Sequence, residues 1–156
     1  MNRWAPTSFA VLVLLTSGSS ARAGQRPDCL KGLGRALVVG MFSGSTNCGT
    51  DRLTIRKIGV IRKSGHTYSV YDYHYRLKPV CADCAVHGGQ RIIFMEGGRY
   101  IGQYKPDSAH IAVIRGGLML SPDPAFGFGS PVAVHFTALG PPQEVWFDGA
   151  SLNLFR

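Results

Sequence analysis

The run Thr67-Tyr68-Ser69-Val70-Tyr71-Asp72-Tyr73-His74-Tyr75-Arg76-Leu77 is the longest and most regular of the chain's short apolar-aromatic runs. A strand turns successive side chains to opposite faces. Tyr71, Tyr73, Tyr75 and Leu77 therefore share one face, and Tyr68, Val70, Asp72, His74 and Arg76 the other. Next-but-one neighbours lie about 6.6 Å apart along a strand. Asp72, His74 and Arg76 thus form a polar row within mutual reach. Such a row has the chemistry of a general base oriented by a carboxylate, with an arginine as anion clamp. The sequence attaches no Ser or Cys nucleophile to it. A solvated outer face over an aromatic core produces the same pattern, and that reading is preferred. Tyr71, Tyr73 and Tyr75 then serve as core or, being amphipathic rings, line part of a ligand cavity.

Further runs rich in Val, Ile, Tyr and Phe occur at 53–61, 90–95, 100–104, 109–114, 118–120, 132–139, 145–147 and 152–155. The first alternates poorly, and a weaker one covers 36–42. Turn signals separate them. Glu96-Gly97-Gly98-Arg99 and Arg115-Gly116-Gly117 read as hairpins, because glycine accepts the positive φ of a tight turn. No window past the N-terminus keeps a helical apolar period without a Gly or Pro inside it. The expected fold is all-β: a single antiparallel sandwich or small barrel of eight or nine short strands.

Composition agrees. The 156 residues include 20 Gly and 9 Pro, natural for short strands and tight turns, and 45% apolar content argues against wholesale disorder. Two longer loops stand out. Residues 79–89 carry two cysteines and a histidine. Residues 121–131 carry three prolines and Phe126-Gly127-Phe128-Gly129, a surface crossover in preference to a lid.

The N-terminus reads as a secretory signal. Arg3 precedes a short apolar run at 9–15, and Ala21-Arg22-Ala23 places cleavage after Ala23. Residues 1–23 are the expected signal and 24–156 a single β domain, exported to a periplasm or secreted, with no transmembrane segment. The whole chain carries a net charge of +8. Without Arg3 and Arg22, 15 basic residues stand against 9 acidic ones. The excess lies entirely within residues 24–63, where Arg52, Arg56, Lys57, Arg62 and Lys63 lie in and around the predicted strand 53–61, richest at its ends. A basic edge of this kind suits an anionic envelope component or an acidic protein partner. Basic residues also guard edge strands against pairing. No aromatics interleave with them as a nucleic-acid stacking platform requires.

Cys29, Cys48, Cys81 and Cys84 suit an exported protein with two disulfides, Cys29–Cys48 and Cys81–Cys84. The Cys81-Ala82-Asp83-Cys84 motif admits two sharper readings. One is a redox pair, which lacks its usual helix N-terminus here. The other is a zinc knuckle with His87 and His74. The five histidines (His66, His74, His87, His110 and His135) make no HxH, HxxxH or HExxH spacing. No metal or other cofactor is expected. The sequence favours a binding domain over an enzyme. The catalytic alternative centres on Asp72, His74 and Arg76 with the Cys81/Cys84 loop.

Overall fold

The computed structural model describes residues 30, 32–44, 46, 51–77, 79, 81, 83–125 and 129–156. The expected signal with its cleavage point, Cys29, Cys48 and residues 126–128 lie outside them. The described residues form one short helix, α1 (Gly34–Val39), and nine strands. These are β1 (Asp51–Lys63), β2 (His66–Leu77), β3 (Gly88–Glu96), β4 (Arg99–Tyr104), β5 (Ala109–Ile114), β6 (Gly117–Pro122), β7 (Val132–His135), β8 (Glu144–Phe147) and β9 (Ala150–Asn153). Strands β1 to β4 make a four-stranded sheet in sequence order, β5 to β7 a three-stranded sheet, and β8 and β9 a ribbon. All the pairings are antiparallel. Three separate sheets packed on one core make this an all-β sandwich. Among the described residues no helix is long and apolar enough to cross a membrane.

The alternation in β2 divides the interior. Tyr68 and Val70 join Ile92, Phe94, Leu118, Leu120, Phe136 and Phe147 in a main core drawn from all three sheets. Phe94 meets Tyr104 and Phe136 edge-on, with centroids 5.3 and 5.4 Å apart. Such pairs add about 1 kcal/mol each beyond burial. On the opposite face Tyr73, Ile55, Ile93 and Met95 pack with Leu37 and Phe42 in a second core. The four-stranded sheet is therefore covered on both faces. This corrects the expected solvated outer face around Asp72, which is only 8% exposed.

Two local expectations are also corrected. The weak strand expected at 36–42 is instead the end of α1 and the turn after it. Leu30, Leu33 and Leu37, three and four residues apart, fall on one side and reach the second core. Val38 and Val39, inside the expected strand, are exposed. The run at 132–139 stops at His135, and Thr137 and Gly140 then close a turn.

The poor alternation at 53–61 has a structural cause. The β1–β2 register shifts between Lys57 and Gly59, so Ile58 is an extra, bulged residue. Before it, Ile55 pairs with Tyr73 and serves the second core; after it, Ile61 pairs with Tyr68 and serves the main core. One inserted residue moves the odd positions from one face to the other.

The Gly97-Gly98 hairpin forms as expected between β3 and β4, with φ of 54° and 81°. Both values lie in the left-handed region that glycine enters without steric cost.

Candidate functional site

Strand β1 is the outer strand of the four-stranded sheet. Its Arg52, Arg56, Lys57, Arg62 and Lys63 are all exposed. Equal sequence parity would place Arg56 and Arg62 on one face. The bulge separates them. Arg56 pairs with Asp72 on the main-core face, whereas Arg62 pairs with Thr67 on the other. The basic residues thus form a band along the edge, open on both sides of the sheet.

The polar row of β2 is only partly as the spacing suggested. His74 Nε2 donates to Asp72 Oδ1 at 2.9 Å. The arginine beside them is Arg56 from the neighbouring strand, with Nη2 3.4 Å from Asp72 Oδ2. Arg76 lies exposed and opposite Arg52. A cross-strand neighbour is closer than the next-but-one residue on the same strand, so the clamp comes from β1.

Asp72 has a further partner that the sequence did not disclose. Gln90 Nε2 donates to Asp72 Oδ1 at 2.8 Å and to the Ala109 carbonyl at 2.9 Å, while the Ala109 N–H donates to Gln90 Oε1 at 2.8 Å. The buried Gln90 amide therefore pairs with β5 as a strand backbone does, linking the four-stranded and three-stranded sheets. Asp72 fixes the orientation of that amide.

Burial pushes the Asp72 carboxyl up. The hydrogen bonds from His74 and Gln90, the His74 charge and the Arg56 bond outweigh it, and the carboxyl titrates below the usual range. The bond to Asp72 and its negative charge raise His74, against the opposing effects of partial burial and Arg56. A half-exposed imidazole, its charged form favoured, sits above a buried carboxylate.

Arg56, Asp72 and His74 open onto a cleft of about 300 Å³ shared with Ser108, His110 and Asp123. Ser108 Oγ donates to Asp123 Oδ2 at 3.2 Å, and the Ala125 N–H donates to Oδ1 at 2.9 Å. No spacing motif announces Gln90, Ser108, His110 or Asp123. They arrive from β3, β5 and the segments flanking β5 and β6, so only the strand order brings them together.

The tyrosine row divides. Tyr73 is fully buried, its ring edge-on to Phe42 at 5.3 Å. That position is part of the second core. Tyr71 and Tyr75 are partly buried against the same cluster. The Tyr75 hydroxyl accepts from Arg91, whose guanidinium also lies 5.1 Å from the ring centroid.

Cys81 and Cys84 are disulfide-bonded, with Cα atoms 5.1 Å apart. In this state neither sulfur offers a thiolate to a metal or a substrate. The expected Cys29–Cys48 partner bond lies outside the described residues. Among the described residues no group of three or more His, Cys, Asp or Glu side chains is placed to hold a metal ion. Compared with protein-family models, with curated proteins and with solved structures, the chain matches none of them.

Proposed function

We propose that this protein is an exported, non-catalytic binding domain that recognises an anionic envelope component or an acidic protein partner through the β1 edge. One observation carries the reading: five exposed basic residues stand along a single outer strand. Clustered cations attract a polyanion over a surface, and the attraction weakens as salt screens it.

Binding of the full chain to a soluble sulfated polysaccharide and to phosphatidylglycerol vesicles tests it. Affinity for at least one is expected to fall steeply with salt. The double substitution Arg52→Glu/Lys57→Glu, which leaves Asp72 its partners, is expected to weaken that binding about tenfold or more. Binding indifferent to both salt and substitution overturns the reading. Export is tested separately: the periplasmic or secreted form should have an intact mass beginning at Gly24.

A second reading, acid–base catalysis, draws on the His74–Asp72 pair at 2.9 Å within the cleft that holds Ser108. Arg56 replaces Arg76 in it, and the bonded Cys81/Cys84 loop drops out. It expects the wild type to turn over an activated ester or phosphate ester and His74→Gln to abolish that turnover. Under the binding reading His74→Gln retains both the fold and polyanion binding.

A further inference from the structure

The three most exposed large apolar side chains among the described residues are Leu139 at 91%, Met41 at 80% and Val39 at 76%. Isolated exposed aliphatics are ordinary. These three are gathered at one end of the sandwich. Met41 and Leu139 border a groove of about 480 Å³ that also holds His66, Glu96 and Arg99. Val39 borders an adjoining hollow of about 460 Å³ that shares Gly40, Arg99 and Tyr100 with it.

The backbone holds these side chains outward. Leu139 sits at the tip of the turn closed between Thr137 and Gly140, and its N–H donates to Thr137 Oγ1 at 3.1 Å. Met41 follows α1 with φ of 55°, a left-handed conformation that disfavours a side chain. Its N–H is bonded to the Val38 carbonyl at 3.1 Å. A projecting methionine is thus fixed in strained backbone where glycine would cost less.

Cations share this end. Arg62 pairs with Thr67 and Lys63 with His66, which places both beside the β1–β2 turn at this same end. Arg99 opens the neighbouring β4 strand, where it pairs with Glu96 across the hairpin. Glu96 is the acid of the groove, and it is matched by His66 at 2.6 Å and Arg99 at 3.5 Å. The end is therefore net basic with aliphatic tips.

Charge complementarity selects the occupant. Protein interfaces concentrate aromatic residues in a continuous apolar centre, whereas here separate aliphatic tips share one end with basic side chains. That pattern fits a lipid interface, where aliphatics enter the acyl boundary and cations meet phosphates. We infer that this end of the sandwich docks on an anionic lipid surface, with Leu139, Met41 and Val39 entering it and Arg62, Lys63 and Arg99 facing the headgroups. The inference rests on the anionic-ligand reading and names its ligand class and the face that meets it.

The test is co-sedimentation of the full chain with phosphatidylcholine–phosphatidylglycerol vesicles and with pure phosphatidylcholine. Met41→Glu/Leu139→Glu changes two exposed positions and should leave the melting temperature unchanged. It is expected to weaken binding to the anionic vesicles about tenfold or more. Parent and variant carry the same apolar run at 9–15, so the difference belongs to this end of the molecule. Arg99→Glu should weaken binding to anionic vesicles and leave any binding to phosphatidylcholine unchanged. Equal binding by parent and M41E/L139E overturns the inference. If Arg52→Glu/Lys57→Glu still loses binding in that case, the β1 reading survives without it. If the M41E/L139E variant loses only a soluble acidic protein and not vesicles, the face serves a protein partner and the lipid assignment is overturned.

Discussion

At the scale of single residues, Gln90 bears the most on the architecture. Its amide donates to the Ala109 carbonyl and to Asp72 and accepts from the Ala109 N–H, all between buried groups. Gln90→Leu keeps much of the volume and removes all three. The Ala109 N–H and carbonyl are then left without their side-chain partner, at about 1–3 kcal/mol for each unsatisfied group. Urea denaturation should show a loss of about 3 kcal/mol, and a loss within experimental error of zero would contradict the clamp. His74 and Asp72 add a pH dependence whose sign follows from their opposite shifts. The folded His74 titrates above its ordinary value, so its contribution is complete below the unfolded pKa of about 6.5 and fades as pH rises through the raised folded value. The folded Asp72 titrates below its ordinary value, so its contribution is present above about 3.9 and fades as pH falls through the lowered one. The pair therefore contributes most between about pH 4 and 6.5. Thermal melts of wild type and His74→Ala should differ most in that window, and the gap should narrow as pH rises through the raised folded His74 value. A gap that widens with rising pH would show that the imidazole is not held as the charged partner of Asp72.

At the scale of elements, the bulge in β1 shows how much the chain's pattern disclosed and where it stopped. The irregular alternation of 53–61 was legible as an irregularity. Its meaning was not, because a one-residue insertion looks like a failed strand until the partner register is known. The same limit governed the arginine clamp: parity within β2 pointed to Arg76, and only pairing across β1 gives Arg56. In and before α1 the Leu30, Leu33, Leu37 spacing was present, but the intervening glycines broke the helical pattern and the segment read as a weak strand. Burial of Leu37 in the second core outweighed those propensities. Beyond the bulge β1 runs against β5 with little room to spare. A Cβ at Gly59 would come 2.8 Å from Val113 Cγ2 and 3.2 Å from its Cβ. Gly59→Ala should therefore destabilise the protein by about 1–3 kcal/mol, through overpacking between the two sheets. Val113→Ala in the same chain should recover part of that loss. A double-mutant cycle measures the coupling, and strictly additive effects would show that β1 and β5 do not meet here.

At the scale of the whole molecule, the two cores lie on opposite faces of one sheet, and this determines how the protein unfolds. The antiparallel all-β class was legible in the chain, because alternating runs separated by glycine turns have few other solutions, but the choice of sandwich over barrel was not. The second core was not, since nothing in β2 told which apolar segment would cover Tyr71, Tyr73 and Tyr75. Leu37 and Phe42 supply the cover from outside the strand set. The consequence is mechanical coupling. Tyr73, Ile93 and Met95 serve the second core from β2 and β3, and Val70, Ile92 and Phe94 serve the main core from the same two strands. Neither core can open far without disturbing the backbone ladder that holds the other. Leu37 is fully buried, so Leu37→Ala removes apolar contact and leaves a cavity costing about 2–5 kcal/mol. If the sheet couples the cores, that loss should lower the midpoint of one cooperative transition, with near-ultraviolet and far-ultraviolet circular dichroism moving together. If α1 is only an appendage, the variant should shed local aromatic signal at low denaturant, and the strand signal should melt at the parental midpoint. The shared strands favour the first outcome, because the edge-on contact of Tyr73 with Phe42 ties the α1 segment directly to the central strand β2.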